Sequence, residues 1–461
     1  MTDAFRPSRA ILELGPGFYD EVAPADFPLT IPRFRNDRAA ASIGLDDLDP
    51  AAWLRHFGRF EALPGSLEHP LALRYHGHQF RSYNPEIGDG RGFLFAQMTD
   101  TAGRLMDLGT KGSGQTPYSR FGDGRLTLKG GVREILATEM LEALGATTSR
   151  TLSLIETGEA LQRGDEPSPT RSAVMVRLNH SHIRYGSFQR LAALQDAGGM
   201  ATLTDYVLRH YFEPSDTPAP SPYATLIDHA VTNSATQAAQ LMAAGFVHGV
   251  LNTDNINITG EIFDFGPYRF APAWDPDFTA AYFDHNGLYS LGRQPEAMQW
   301  NVYQLALALR LVAPTEDLAP ALKTWPDRFD AAFATAMLAR LGVVPRDPAT
   351  DLALARSIEA ALTETTMPLA RFWFDWRGGT LRGTSPAAAT YALPAFAPFL
   401  AAVADYAPAA PLDHAYWSDP EPCALLIDEI EAIWSRIATD DDWSTLEGEV
   451  VAIRRMGEAM R

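Results

Sequence analysis

A few residue types in this chain could together hold a nucleotide triphosphate and a metal ion. Asn255 and Asp264, nine residues apart in NINITGEIFD, offer the hard oxygen ligands that magnesium prefers when it also holds phosphates. Asp254, next to Asn255, is the carboxylate nearby that could accept a proton. Lys111, at the end of MDLGTK, can set a compact point charge on phosphate oxygens, and Glu134 could hold that ammonium in place. Arg177 and Arg184, in VRLNHSHIRYGS, are two guanidinium forks that could clamp a triphosphate. Gly88, Gly90 and Gly92 in GDGRG let a backbone approach phosphates with no Cβ in the way. Each piece also has a plainer reading. These are a glycine-rich hairpin turn, a surface lysine, a first-turn glutamate favoured by a helix dipole, a surface arginine pair, and an Asn-rich turn.

The elements that must position these groups follow from periodicity. FLFAQM and LMDLGTK, around the turn DTAGR, predict a hairpin. GGVREILATEMLEALG has helical spacing and ends at Gly145, while SRTLSLIET and SAVMVRL predict two further strands. After about Phe188 the chain turns helical, with a long helix ending at Gly245. FVHGVLNTDNINITGEIFDFG then reads as loop, short strand, turn and short strand, and five more amphipathic helices follow. The first 85 residues are Pro-rich and mixed, with an amphipathic stretch near Trp53 to Phe60. Residues 404–419 read as a surface loop.

A β-rich half with one inserted helix, followed by a helical half carrying HG…DN…DFG, is the order of a protein-kinase-like fold. The predicted class is therefore α+β and two-lobed. Residues 1–85 form an extension packed on the domain, 86–190 a β-rich nucleotide-binding N-lobe, and 191–461 a helical C-lobe with the catalytic loop and metal site. Kinase catalytic loops run His, an Asp two residues on, and an Asn seven residues on. Here His248 and Asn255 keep that spacing, but the position of the catalytic Asp holds Val250, which accepts no proton. An ordinary γ-phosphoryl transfer site has been dismantled or rebuilt.

Composition narrows the partners. The net charge of −19 argues against a nucleic-acid backbone or an anionic membrane. No stretch approaches the roughly 18 apolar residues of a membrane helix, and the N-terminus has no signal pattern, so a cytoplasmic, monomeric protein is expected. Cys423 is the single cysteine, which excludes an intrachain disulfide and a multi-Cys metal site. The alternations His76–His78 and His180–His182 put imidazoles on one strand face, with no third metal ligand identifiable.

The segments RYHGHQF, IGDGRG, DLGTKGSGQTPYSRFGDGR, VREILATEM, MVRLNHSHIRYGSF, GFVHGVLNTDNINITG, DFGPYRF, FDHNGLYSLGRQP and WNVYQLALAL closely resemble the selenoprotein O (SelO/YdiU) family, in order from about Tyr75 to Arg310. The resemblance implies a pseudokinase-like fold that binds ATP in reversed orientation. Such a protein transfers AMP to Ser, Thr or Tyr hydroxyls of protein substrates, with Mg2+ or Mn2+ as cofactor; UMP transfer is also attributed to bacterial members. Reversal would bury the γ-phosphate toward Lys111 and the arginines, leaving the α-phosphate to face the nucleophile. The matching motifs imply nucleotide contacts at Gly88, Gly90, Arg91, Lys111, Asp123, Gly124, Arg177 and Arg184, with Glu134 orienting Lys111. Asp254 would accept the proton, while Asn255 and Asp264 would hold the metal. Two features depart from many members: neither the Asn-Pro…Arg-Asn segment nor the C-terminal Cys or selenocysteine is found after Trp376, and Cys423 alone cannot form an intrachain redox disulfide. Two other readings compete: a true kinase using Asp254, and a non-catalytic ATP-binding scaffold.

Overall fold

In the computed structural model, which describes residues 5–213 and 219–461, the first half of the chain is built on strands. They are β1 (Arg6–Ser8), β2 (Tyr19–Glu21), β3 (Ile31–Arg35), β4 (Leu71–Leu73), β5 (Gly77–Gln79), β6 (Ser82–Asn84), β7 (Leu94–Thr99), β8 (Leu105–Lys111), β9 (Leu126–Thr127), β10 (Arg150–Leu161) and β11 (Thr170–Asn179). Nine of them form one sheet in the order β2-β4-β7-β8-β11-β10-β3, with β1 paired to β7 and β9 to β11. β5 and β6 make a separate hairpin. The predicted hairpin is β7–β8, closed by a turn in which Asp100 accepts from the backbone of Ala102 and Arg104. Residues before 86 supply β1 to β4 to the sheet.

Both faces of the sheet are covered, and the alternation of strand side chains sorts them. Phe95, Met98, Met106, Leu108, Val174 and Val176 face a core that holds Trp53 and Phe57 of α2 (Pro50–Gly58), the second helix after the short α1 (Asp37–Ser42). Leu94, Leu105, Leu154 and Met175 face the other way, onto α3 (Leu128–Ala143) through Val132, Ile135 and Leu136. Thr127 caps α3 by accepting from Gly130 N, and Gly145 at φ +80° follows its end, as predicted.

The second half is helical: α4 (Tyr185–Ala193), α5 (Ala197–Tyr211), α6 (Pro222–Ala244), α7 (Gln294–Leu309), α8 (Thr315–Lys323), α9 (Trp325–Leu341), α10 (Pro348–Thr365), α11 (Leu369–Asp375), α12 (Ala388–Tyr391), α13 (Ala397–Val403), α14 (Ile427–Asp440) and α15 (Ser444–Ala459). The whole is a mixed α/β fold with a large antiparallel sheet and many helices. Residues 404–419 are irregular apart from a short turn at Ala415–Ser418, yet they bury Tyr406, Tyr416 and Trp417.

One expected detail differs. No strand pair forms within residues 248–266. β12 (Phe246–Val247) instead pairs with β13 (Arg269–Phe270), bracketing the segment. The extended pieces between them spend their hydrogen bonds elsewhere: Ile256 O accepts from Tyr185 N, Ile258 N donates to Ile183 O, and Ile262 bonds Thr147 and Ser149. Two distant segments outcompete a local hairpin for the same backbone groups.

Candidate nucleotide and metal site

β8 delivers Lys111 on the sheet face that also carries Asp107 and Gly109, and β11 sets Arg177 opposite Gly109. Gly109 is required by close approach. A Cβ there would stand 2.0 Å from Nε2 of His182, the atom that accepts from Nε of Arg177 at 3.3 Å. α3 turns Glu134 inward to an ion pair with Lys111, and both side chains are almost fully buried. Burial draws the Lys111 pKa down, against the opposing pull of Glu134 and Asp264.

Asp264 adopts φ +58°, a left-handed conformation that most side chains avoid and that aspartate tolerates better than most. The carbonyls on either side of it are held. His248 donates from Nε2 to Phe263 O at 3.0 Å, and Lys111 donates to Phe265 O at 3.2 Å. Its carboxylate is bracketed by Arg177 on Oδ1 and Arg184 on Oδ2. Burial alone would raise its pKa, but Arg177, Arg184 and Lys111 hold it well below the usual carboxylate range. Arg184 also donates to Asp254 O at 2.7 Å and lies 4.6 Å from the rings of both Tyr75 and Phe263.

Asp254 and Asn255 sit in a single short turn, Thr253–Asn255. The β5–β6 hairpin is stitched to it: His78 N donates to Thr253 Oγ1 at 2.7 Å, Phe80 N to Asn252 Oδ1 at 3.0 Å, and Gln79 Nε2 to Asp254 Oδ2 at 3.3 Å. Oδ1 of Asp254 is buried and has no protein partner. Burial pushes this carboxyl up to about 6. Asn255 donates Nδ2 to Val250 O at 3.0 Å, which leaves its Oδ1 as a spare acceptor. Among the described residues no group of three or more His, Cys, Asp or Glu could hold a metal ion. A divalent cation here would depend on Asn255 and Asp264 together with phosphate oxygens. The spare Asn255 oxygen and the ionised Asp264 fit such an ion.

Gly88, Gly90 and Arg91 lie in the loop entering β7, with Asp123 and Gly124 in the glycine-rich loop between β8 and β9. The glycines have a reason within the protein. A Cβ at Gly88 would stand 2.5 Å from the Tyr118 ring, one at Gly90 2.8 Å from Tyr118 O, and one at Gly92 2.0 Å from Thr110 O. The first loop thus lies directly on the second. Arg91 is exposed, Gly124 takes φ +69°, and Asp123 is ion-paired with Arg163 at 2.8 Å.

One cleft of 780 Å3 gathers every residue singled out in the sequence for this site except Glu134, which stands behind Lys111, and His248, which holds Phe263 O. Seven cationic side chains line it against four carboxylates, in a chain of net charge −19, so the cleft concentrates positive potential where a polyanion would lie. Sequence reasoning passed over several of its residues. Asp89, inside GDGRG, is buried, accepts from Leu73 N at 3.1 Å and approaches Arg184 at 3.5 Å. Gln79 stood within the quoted RYHGHQF, though no spacing rule marks it, and Arg163 comes from a polar loop with no signal at all. The histidines have structural partners instead: His76 meets Tyr83 Oη at 2.7 Å and His78 meets Gln189 Nε2 at 2.9 Å, while His180 and His182, beyond the end of β11, meet the Tyr211 ring and Arg177 Nε.

Residues 4–384 match the family described as "Protein adenylyltransferase SelO". The chain belongs to this family. A "Protein nucleotidyltransferase YdiU" from Gloeobacter violaceus is 44% identical over 97% of this chain and 94% of its own length. Relatives of the same description from Trichormus variabilis and Mycolicibacterium smegmatis are 50% and 37% identical, over 72% and 83% of this chain and 68% and 79% of theirs. The SelO match extends on both sides of the segment from Tyr75 to Arg310 that carries the recognisable motifs. The Gloeobacter relative covers most of the C-terminal third as well. The described residues of this SelO-family chain include no helix long and apolar enough to cross a membrane.

Proposed function

We propose that this chain is a protein nucleotidyltransferase with a kinase-like two-lobed arrangement, residues 86–190 forming the N-lobe and 191–461 the C-lobe. It acts in the cytoplasm as a monomer and moves AMP from ATP to a Ser, Thr or Tyr hydroxyl of a protein substrate. The carrying observation is the pairing of a lost and a kept feature. Val250 occupies the position of a kinase base, while Lys111–Glu134, Asn255 and Asp264 still converge on one cleft beside Asp254. The family membership and the names of the relatives support the same class.

In this reading Lys111, Arg177 and Arg184 bind the triphosphate end, and the loop of Gly88, Gly90 and Arg91 covers it with Asp123 and Gly124 opposite. Glu134 keeps the ammonium of Lys111 oriented. Mg2+ or Mn2+, held by Asn255 and Asp264, would supply charge neutralisation to the phosphates. Asp254 accepts the proton of the attacking hydroxyl through its unpartnered Oδ1. The hydroxyl oxygen bonds to the α-phosphorus, the bond from that phosphorus to the bridging oxygen breaks, and pyrophosphate leaves. Incubation with ATP labelled at the α- or the γ-phosphate, plus a protein mixture, tests this. Label should reach protein only from the α-position, whereas γ-label alone would return the site to phosphoryl transfer. Labelled UTP run in parallel tests the UMP alternative.

A further inference from the structure

A second cavity, of 630 Å3, shares no lining residue with the nucleotide cleft. It lies where the end of α3, β13, α11, α15 and the irregular segment before α14 meet. Its walls are mainly apolar, with Phe270, Leu369, Trp373, Phe374, Tyr416 and Met456 among them. Four charged residues line it, Arg340, Arg371, Glu421 and Glu429, and Arg340, in the last turn of α9 and 8% exposed, is the cation without an anion.

Five arginines are buried among the described residues, and four are accounted for. Arg177 and Arg184 hold Asp264, and Arg371 meets Asp375 and Glu421. Arg377 donates to the carbonyls of Ala339, Arg340 and Met460, at helix C-termini whose dipoles favour a cation. Arg340 alone binds neither carboxylate nor carbonyl. It donates to the thioether of Met460 at 3.4 Å, its Nε has no partner, and its guanidinium lies 5.4 Å from the Trp373 ring. The two carboxylates on the wall are engaged elsewhere, Glu421 by Arg371 and Glu429 by Leu426 N at 2.6 Å. A buried guanidinium facing apolar walls is expensive unless something supplies an anion.

We propose that this cavity binds an amphipathic organic monocarboxylate, its carboxylate paired with Arg340 and its apolar body packed among Trp373, Phe374 and Tyr416. A single uncompensated cation matches one negative charge. The apolar walls match a medium-chain acyl or arylalkyl body more closely than a sugar or a nucleotide.

Calorimetric titration of the full chain with decanoate, 4-phenylbutyrate and decanol tests the assignment. At least one of the two acids should bind saturably at one site, and decanol, which has the same body as decanoate but no charge, at least tenfold more weakly than the better acid. Arg340→Met should weaken acid binding at least tenfold. Failure of both acids to bind the wild-type chain overturns the proposal, as does equal acid affinity in Arg340→Met or binding of decanol as tight as that of the better acid. If Arg340→Met does not fold, Ala424→Phe, which fills the cavity and leaves Arg340 in place, decides: lost acid binding supports the site and retained binding overturns it.

Discussion

The side-chain amide of Gln79 donates to Oδ2 of Asp254 at 3.3 Å, joining residues 175 positions apart in the chain. The β5–β6 hairpin is thereby a support for the proposed base, leaving only Oδ1 of that carboxylate without a protein partner. Asp254→Ala should lower turnover by roughly 10²–10⁴-fold while nucleotide affinity stays within a few-fold of wild type. Gln79→Leu should reduce kcat by about tenfold at neutral pH, because the base loses its orientation and a hydrogen bond that favours its charged form. Single-turnover α-label transfer, set beside nucleotide titration, reads both.

Lys111 and Glu134 are a buried pair, so removing one partner strands the other. Lys111→Met or Glu134→Leu alone should destabilise the protein by about 3–5 kcal/mol. The double substitution should cost clearly less than the sum of the two. Chemical denaturation of the four proteins in the cycle measures the coupling.

Asp264 is the carboxylate shared by Arg177 and Arg184. Asp264→Ala leaves two buried guanidiniums facing each other's charge, so the nucleotide-free variant should melt at a lower temperature than wild type. ATP should raise its melting temperature by more than it raises that of wild type, since the phosphates then supply the missing anion. Transfer activity should be lost even as this stabilisation grows. Thermal melts with and without ATP distinguish the outcomes.

Glu261 is buried and accepts from His180 N at 2.7 Å, and burial pushes its carboxyl from 4.5 to about 7. The folded state therefore binds this proton more tightly than the unfolded chain does. Its contribution to stability is full below pH 4.5 and falls as pH rises toward 7. Glu261→Gln keeps an acceptor for His180 and removes the charge. The variant should gain on the order of 2–3 kcal/mol above pH 7 and nothing near pH 4. Denaturation midpoints across that range check the slope.

Much of the site was legible in the sequence because its signals are local. His248, Asn255 and Asp264 are marked by spacing within one segment. LMDLGTK and SAVMVRL read as the strands that carry Lys111 and Arg177. Gly145 marks the end of the helix that carries Glu134. The reading of GDGRG as a phosphate-approach loop was incomplete, since its glycines also answer to Tyr118 and Thr110. Strand periodicity could not show that residues 256–262 would pair with segments near Thr147 and Ile183 rather than with each other.

By itself, the sequence determined which chemical groups are available, their order along the chain, and the absence of a proton acceptor at Val250. Only the tertiary structure decided which of them meet: both arginines on Asp264, Gln79 on Asp254, Gly109 yielding to His182, and Arg340 left without an anion. Periodicity and capping act over a few residues and can be read along a line. Burial and charge pairing depend on side chains that folding brings together from distant parts of the chain, 80 positions apart for Arg184 and Asp264 and 175 for Gln79 and Asp254.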